Sequence, residues 1–346
     1  MSRDLDDLDR ELVHLLQLSP RISWTDAGHV LGLSATAVAA RWRRLVDQGT
    51  AWIALQPNTT GPHHVTAIVE LTCEPAARAE VAAHLIEDRR VLSIEESSRG
   101  GDLVLTVVVA DPGRLSAFLL DDLPMRAGVT SLRPSVVVQT LSTGSDWRVG
   151  ALSERQRAEA ERLGVRTPGE RPERVRGVPD SPQELTPDLI QLLAVLVREP
   201  RASFAELARD TGQAPASVRR RMHALTTGDR VLFRCDVAHV DFGLPITSAY
   251  FAQVAPADLP RTIAALRSMP TLRMCLQVTG EHNLIFSMLS PSFDGVAALQ
   301  ATIGRHLPWV RITESRLILR TRKRMGWVLD DDGRPTGRVV PPLVFD

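Results

Sequence analysis

Between residues 5 and 18, Leu5, Leu8, Leu12, Leu15 and Leu16 recur at helical spacing. The acids Asp4, Asp6, Asp7 and Asp9 lie at the start of this stretch, where the helix dipole favours them. Ser19-Pro20 ends the predicted helix, and a short second helix follows over 23–31. Gly32 makes a turn, Ser34 caps a third helix over 35–48, and Gly49 stops it. The pattern then returns. Residues 4–55 lie on residues 184–235 without a gap. Leu5, Leu12, Leu16, Pro20, Arg21, Ser23, Gly32, Val38, Arg41 and Leu45 match Leu185, Leu192, Leu196, Pro200, Arg201, Ser203, Gly212, Val218, Arg221 and Leu225. In the second copy Ala214 replaces the capping serine, which costs about 1 kcal/mol and predicts a less rigid third helix, although Pro215 suits the first turn. Helix, short helix, glycine turn and capped helix read as a helix-turn-helix.

After each helical module the pattern alternates between strand and helix. In the first half, strands are predicted over 65–72, 91–98, 103–109 and 129–140, with helices over 76–88 and 113–121. The second half repeats this with strands over 246–254, 272–278, 284–289 and 309–320 and helices over 257–268 and 293–306. A βαββαβ order makes a ferredoxin-like fold with both helices on one sheet face. The fold class is therefore α+β: two winged helix-turn-helix domains alternating with two ferredoxin-like domains. The boundaries read 1–56, 62–145, a linker over 146–183, then 184–238, 243–327 and a loosely packed tail over 328–346. The linker opens with a polar helix over 153–163 and continues rich in Pro, Gly and charge. Residues 103–109 and 284–289 are apolar on both alternating sets, including Val104, Thr106 and Val108 against Leu103, Leu105 and Val107, so each strand should be buried on both sides. The bare sheet faces are expected to pair about a pseudo-two-fold axis, within one chain or between chains.

Composition narrows the function. The 346 residues hold 41 bases and 41 acids, which excludes a generally polybasic coat but not local basic faces. Lys323 is the lone lysine; the remaining bases are arginines, suited to phosphate and guanine wherever they are presented. Aromatic residues make up 4%, so stacking platforms for single strands do not dominate. Cys73, Cys235 and Cys275 are far apart and show no metal spacing, His63-His64 has no third ligand nearby, and nothing calls for a cofactor. With no apolar run of membrane length and an acidic start, the expected location is the cytoplasm, with no membrane partner.

The third helices carry the candidate chemistry. Val38, Trp42 and Leu45 face inward in the first, and Val218, Met222 and Leu225 in the second. Ser34, Thr36, Ala37, Arg41, Arg43 and Arg44 are candidate contacts to double-stranded DNA, as are Ser217, Arg219, Arg220, Arg221 and His223. The run RTRKR at 320–324 reads as a solvated strand end.

The stretches LDDLDRELVHLLQLSPRIS at 5–23 and LGLSATAVAARWRRLVDQG at 31–49 resemble the Lrp/AsnC, or feast/famine, family of transcription regulators. ELTPDLIQLLAVLVREPRASFAELARDTG at 184–212 and VRRRMHAL at 218–225 resemble it again. The chain departs from the usual pattern in being a tandem fusion, and in having Ala27-Gly28 where leucine-alanine is usual. The resemblance implies that the α/β modules are RAM-type sensing and oligomerisation domains and that the protein forms homo-oligomers, dimers or higher. It also implies a site for an amino acid or similar effector at the central hairpin, here Thr279, Gly280, His282 and Asn283. In the first copy Asp102 matches that motif, while Arg99 stands where glycine belongs. Two other readings share the fold. Siroheme decarboxylases are similar around residues 283–286 and 290–292, but their His-Asn-Tyr cluster has no His or Tyr counterpart in LRMCLQVTG at 272–280. An effector-independent architectural DNA binder is the other. Because the fusion fixes a one-to-one ratio of two non-identical readers, an asymmetric operator is expected, its half-sites about 34 Å apart or a multiple of that.

Overall fold

A computed structural model describes residues 5–58, 64–98, 103–144, 146–163, 165, 186–227 and 231–345. Along the chain come helices α1 (Asp7–Leu18), α2 (Trp24–Leu31) and α3 (Ala35–Asp47), then strands β1 (Ala51–Pro57) and β2 (Val65–Cys73). Next are α4 (Arg78–Glu87), β3 (Val91–Ser97), β4 (Leu103–Val109), α5 (Pro112–Ser116) with a π-helical extension Ala117–Asp122, and β5 (Val129–Ser142). The second half holds α6 (Glu154–Arg162), α7 (Pro187–Arg198), α8 (Phe204–Thr211), α9 (Pro215–Thr227) and β6 (Val231–Val237). It continues with β7 (Ile246–Gln253), α10 (Leu259–Arg267), β8 (Leu272–Val278), β9 (Leu284–Ser290), α11 (Phe293–His306), β10 (Arg311–Arg324), β11 (Trp327–Leu329) and β12 (Pro335–Val339).

The chain divides into two compact units, and both gather like parts of the repeat. One contains residues 62–147 and 238–340, the other 3–61 and 148–237 with the last residues.

In the helical unit, local signals set the helix ends. Asp6 caps α1 through the Asp9 amide at 2.7 Å, Ser23 caps α2, and Ser34 caps α3 through the Ala37 amide at 3.2 Å. Gly32 and Gly212 take the left-handed conformation, at φ 69° and 66°, that ends α2 and α8. Gly28, unusual at its place, is needed there: a Cβ would stand 2.4 Å from the Leu33 carbonyl as the turn folds back. The strand after each reading helix pairs across the repeat, β1 antiparallel to β6 from Ala51↔Val237 to Pro57↔Val231.

The 146–183 stretch is not simply a linker. Its described part packs on the first helical domain: Leu152, Ala160 and Val165 are buried. The Val149 amide donates to Gln17 at 2.9 Å, the Leu152 amide to His14 Nδ1 at 2.9 Å, and Gln156 to Glu11 at 2.7 Å. A capping box, Ser153 with Gln156, starts α6. Burial, then repulsion from Arg148 and Arg157, lowers the His14 pKa to about 4, which keeps the ring neutral as an acceptor.

In the α/β unit each module has the ferredoxin-like strand arrangement, β5-β2-β4-β3 and β10-β7-β9-β8. The modules do not simply stack sheet on sheet. β5 and β10 are 14 residues long, and each serves both modules. The first part of β5 pairs with β2, and its end pairs with β8 from Val137↔Val278 to Ser142↔Cys275. The first part of β10 pairs with β7, and its end pairs with β3 from Ile318↔Ser97 to Lys323↔Ile94. Because β7 also meets β10, the eight strands of both modules close into a ring, which leaves none of those eight as an open edge. Leu103, Leu105 and Val107 face the helix-side core of the first module. Val104 faces inward, against Ile68, Phe251, Leu276, Val278 and Ile285. A buried Glu70–Arg316 ion pair, with Glu314 2.8 Å from Arg316, ties β2 to β10.

The tail is also ordered. β11 pairs with β10, and β12 with β11. Arg334 makes a bidentate ion pair with buried Asp241, at 2.5 and 2.7 Å. Nor is 320–324 a solvated end, since Lys323 and Arg324 are buried. Lys323 Nζ donates to the carbonyls of Ile86 at 2.8 Å and Asp88 at 3.1 Å, and burial lowers its pKa to about 8. The strand continues into a hairpin, so its end is interior rather than terminal.

Candidate nucleic-acid interface and effector turn

The helix-turn-helix geometry leaves one face of α3 and one of α9 exposed. Val38, Trp42 and Leu45 point into the first domain, and Val218, Met222 and Leu225 into the second. Helical spacing then turns Thr36, Ala40 and Arg43 outward in α3, and Arg219, Arg220 and His223 in α9. Ser34 is spent on its cap, the Ala37 amide receives that cap, and the Ser217 amide bonds Ala214 at 2.9 Å.

The arginines divide into two kinds. Arg41 donates to Asp6 at 2.7 and 2.9 Å and to Asp9 at 2.8 Å. Arg44 holds the same Asp9, at 2.6 and 2.7 Å, and the Asp9 side chain is 1% exposed. Burial raises the Asp6 pKa, but the Arg41 bond and charge outweigh it and leave that carboxyl more acidic than usual. Arg221, the repeat counterpart of Arg41, pairs with Asp188 and bonds Gln213 at 2.7 Å. Arg41 and Arg221 are thus latches between the third helix and the start of the first. By contrast, Arg43 and Arg220 have no hydrogen bond or ion pair among the described residues, and Arg219 lies over the Phe204 ring at 5.4 Å. Pro215, Ala216, Arg219, Arg220 and His223 line an open depression on α9.

Sequence reasoning passed over a second set of arginines. Arg21 donates to the carbonyls of Pro200 and Ala202, the latter at 2.8 Å. Arg201 donates to those of Pro20 and Ile22, the latter at 2.6 Å. Arg201 also stacks on Trp24 at 3.7 Å, and Arg21 lies 5.2 Å from the Phe233 ring. Burial, then the nearby Arg21 charge, lowers the Arg201 pKa to about 10, still well above neutrality. This reciprocal clasp, with the β1–β6 pairing, joins both reading domains into one unit. Its only sequence signal was the identity of Pro20-Arg21 with Pro200-Arg201.

At the effector turn the residues are mostly occupied by the fold. The Thr279 amide donates to the Val136 carbonyl at 2.8 Å, and its hydroxyl accepts from the Val136 amide at 3.1 Å. The Asn283 side chain accepts from the Val254 amide at 2.9 Å and donates to the Val254 carbonyl at 2.7 Å. Gly280 has φ 113°, a conformation that other residues rarely adopt. His282 Nδ1 lies 2.7 Å from the Thr313 hydroxyl, and that hydroxyl donates to the Phe251 carbonyl at 2.9 Å. The Thr313 oxygen is therefore placed to accept from Nδ1–H, and Nε2 takes no part in this bond. Asp102 and Arg99 lie outside the described residues. The described residues contain no group of His, Cys, Asp or Glu that could hold a metal, and no helix long and apolar enough to cross a membrane.

Two helical domains clasped into one unit, and two ferredoxin-like modules in the other, define a duplicated helix-turn-helix protein. The AsnC-type helix-turn-helix domain matches residues 5–46 and again 190–226. The chain thus carries two AsnC-type helix-turn-helix domains in tandem, and its relatives are HTH-type transcriptional regulators. An uncharacterised HTH-type transcriptional regulator of Pyrococcus furiosus is 26% identical over 142 residues, 40% of this chain and 96% of that protein. The HTH-type transcriptional regulator LrpA of Pyrococcus abyssi is 28% identical over 141 residues, 40% of this chain and 99% of that one. The regulator AldR of Mycolicibacterium smegmatis is 24% identical over 150 residues, 42% of this chain and 87% of its own. Each relative is thus about one half of this chain. Among solved structures, the siroheme decarboxylase NirDL aligns over 92% of this chain and 93% of its own with a TM-score of 0.56. At 13% identity this shows a shared tandem fold and nothing about chemistry.

Proposed function

We propose that the protein is a sequence-specific DNA-binding transcription regulator of the Lrp/AsnC type in which one chain supplies both reading heads. The observation that carries this reading is the pair of exposed third-helix faces within one clasped unit. Arg43, Arg219, Arg220 and His223 are the side chains offered to the duplex, with Thr36 and Ala40 beside them. Arg41, Arg44 and Arg221 act by holding the helices in place. Such a role belongs in the cytoplasm. Selection of bound fragments from sheared genomic DNA by the full-length protein is the test; recovery of no enriched sequence, with no salt-dependent duplex binding, would reject the reading.

An amino acid or related small metabolite is the proposed effector, at the turn 279–283. Support comes from His282, held through Nδ1 by the Thr313 hydroxyl, and the Gly280 conformation. Ligand binding adds RT ln(1 + [L]/Kd) to stability, so a panel of amino acids followed by thermal melting identifies it. Assembly into homo-oligomers is proposed from Val138 and Leu319, exposed apolar residues at matching places in β5 and β10, and is measured by light scattering.

A tandem fold shared with NirDL favours a second reading, a porphyrin-acting enzyme. Against it, β8 carries neither His nor Tyr, and Tyr250 lies in the helix-side core, stacked on Phe286 at 5.0 Å. A shifted porphyrin absorption band on mixing with siroheme would support the enzyme.

A further inference from the structure

Val38, Arg41 and Leu45 of α3 recur as Val218, Arg221 and Leu225 of α9, whereas the exposed positions of the two helices differ. Aligned through the repeat, Thr36, Ala39, Ala40, Arg43 and Arg44 of α3 stand opposite Ala216, Arg219, Arg220, His223 and Ala224 of α9. Arg44 is taken by Asp9, so the outward face of α3 offers small apolar groups and one free cation, Arg43. Asp47, exposed one helical turn further on, offsets that charge. The outward face of α9 offers two adjacent arginines and a histidine around an open depression.

The surroundings deepen the difference. Phe204 supports Arg219 from the neighbouring helix at 5.4 Å, which limits the orientations the guanidinium must give up on binding. The counterpart of Phe204 is Trp24, whose ring is taken by Arg201 at 3.7 Å. Ala39, where Arg219 stands in the other copy, has no group to place there.

Resting on the DNA-binding reading, we propose that the heads divide the work. α9 anchors the chain on a guanine-containing half-site, and α3 reads a thymine-rich half-site. Arginine pairs with guanine O6 and N7 in the major groove, whereas alanine and the threonine methyl meet the thymine methyl. Arginine contacts carry most of the discrimination, at about 5- to 150-fold per bidentate pair, while apolar contacts add less. The target is thus a composite duplex with one strongly and one weakly specified half. The clasp fixes their spacing.

The experiment is selection from a random-core duplex pool by the full-length protein, followed by affinity measurements on the enriched duplex. The variants are Arg219→Ala/Arg220→Ala, Arg43→Ala and the graft Ala39→Arg/Ala40→Arg. Ala40, Arg43, Arg219 and Arg220 are exposed and Ala39 is half-buried, and unchanged melting temperatures verify folding. The expected wild-type motif has guanines fixed in one half only. The Arg219→Ala/Arg220→Ala protein loses that half of the motif and binds at least about tenfold more weakly, whereas Arg43→Ala changes affinity by less than about threefold. The graft adds guanine preference to the weak half and makes the motif more nearly palindromic. A wild-type motif with equal information in both halves overturns the division, as does a larger loss from Arg43→Ala, and in both cases the DNA-binding reading stands. Failure of the wild-type protein to enrich any duplex overturns both.

Discussion

Arg41 and Arg43 lie two residues apart in the same helix, yet their removal should have opposite consequences. Arg41 bridges Asp6 and Asp9. Asp6 is 52% exposed, so solvent screens that half of the contact and makes it worth at most about 1 kcal/mol. The Asp9 side chain is 1% exposed, and orphaning a buried charge costs about 3–5 kcal/mol. Arg41→Ala does not fully orphan Asp9, because Arg44 remains at 2.6 Å. The expected loss lies between these limits, roughly 1–3 kcal/mol. Arg43→Ala removes an exposed, unpartnered side chain and should change stability by about 0.5 kcal/mol or less. Urea unfolding followed by tryptophan fluorescence checks both, since Trp24, Trp42 and Trp52 belong to this unit. DNA affinity at low temperature, with the protein folded, should fall for Arg43→Ala by less than about threefold and stay at wild type for Arg41→Ala. If Arg41→Ala leaves the midpoint unchanged, or Arg43→Ala lowers it as much, the division of arginines into latches and contacts is wrong.

Other outcomes follow from the same structure. Arg21→Ala and Arg201→Ala each leave two carbonyls of the other copy without donors, and each should cost about 2–4 kcal/mol and weaken DNA binding in urea and gel-shift measurements. Arg334→Ala leaves Asp241 buried without its bidentate partner; a loss of about 3–5 kcal/mol and rapid proteolysis after β10 are expected. His14 has a folded pKa of about 4, below the unfolded value near 6.5, so the unfolded chain binds more protons between them. Stability should therefore fall as pH drops from about 6.5 towards about 4, and His14→Gln should flatten that limb of the melting profile. For Lys323, with a folded pKa of about 8, the same logic predicts stability rising from about pH 8 to about 10, an increment that Lys323→Met removes.

The helices, their caps and the repeat were legible because they are local. Leucine spacing, Ser23, Ser34 and the two turn glycines act within a few residues, and the structure places α1, α2 and α3 where the periodicity predicts. The candidate site was half legible. Position on α3 and α9 followed from sequence, but Arg41 and Arg43 look alike until Asp9 is brought beneath the helix. One clue lay in the repeat itself: Arg41 is kept as Arg221, while Arg43 and Arg44 become His223 and Ala224. Identity marked the shared latch and the exposed Arg43 differs, but Arg44, which also holds Asp9, is not repeated because Asp9 itself becomes Leu189. The α6 segment was misplaced for a related reason. Its composition is polar, and the few residues that bury it, Leu152, Ala160 and Val165, do so against a domain more than a hundred residues earlier.

The sequence alone determined the helices of both helix-turn-helix copies, the strands and helices of the two βαββαβ modules, and the duplication. Tertiary structure decided which strand ends pair and which arginines are free. β5 and β10 read as ordinary strands, and their exchange between modules depends on unpaired edges separated by more than a hundred residues. The Arg21–Arg201 clasp likewise joins groups about 180 residues apart. Periodicity records which face of an element is buried, because that depends on neighbours within a turn or a pleat. It carries no record of the partner, since backbone amides and carbonyls are the same at every position and a guanidinium fits any carboxylate or carbonyl the fold delivers.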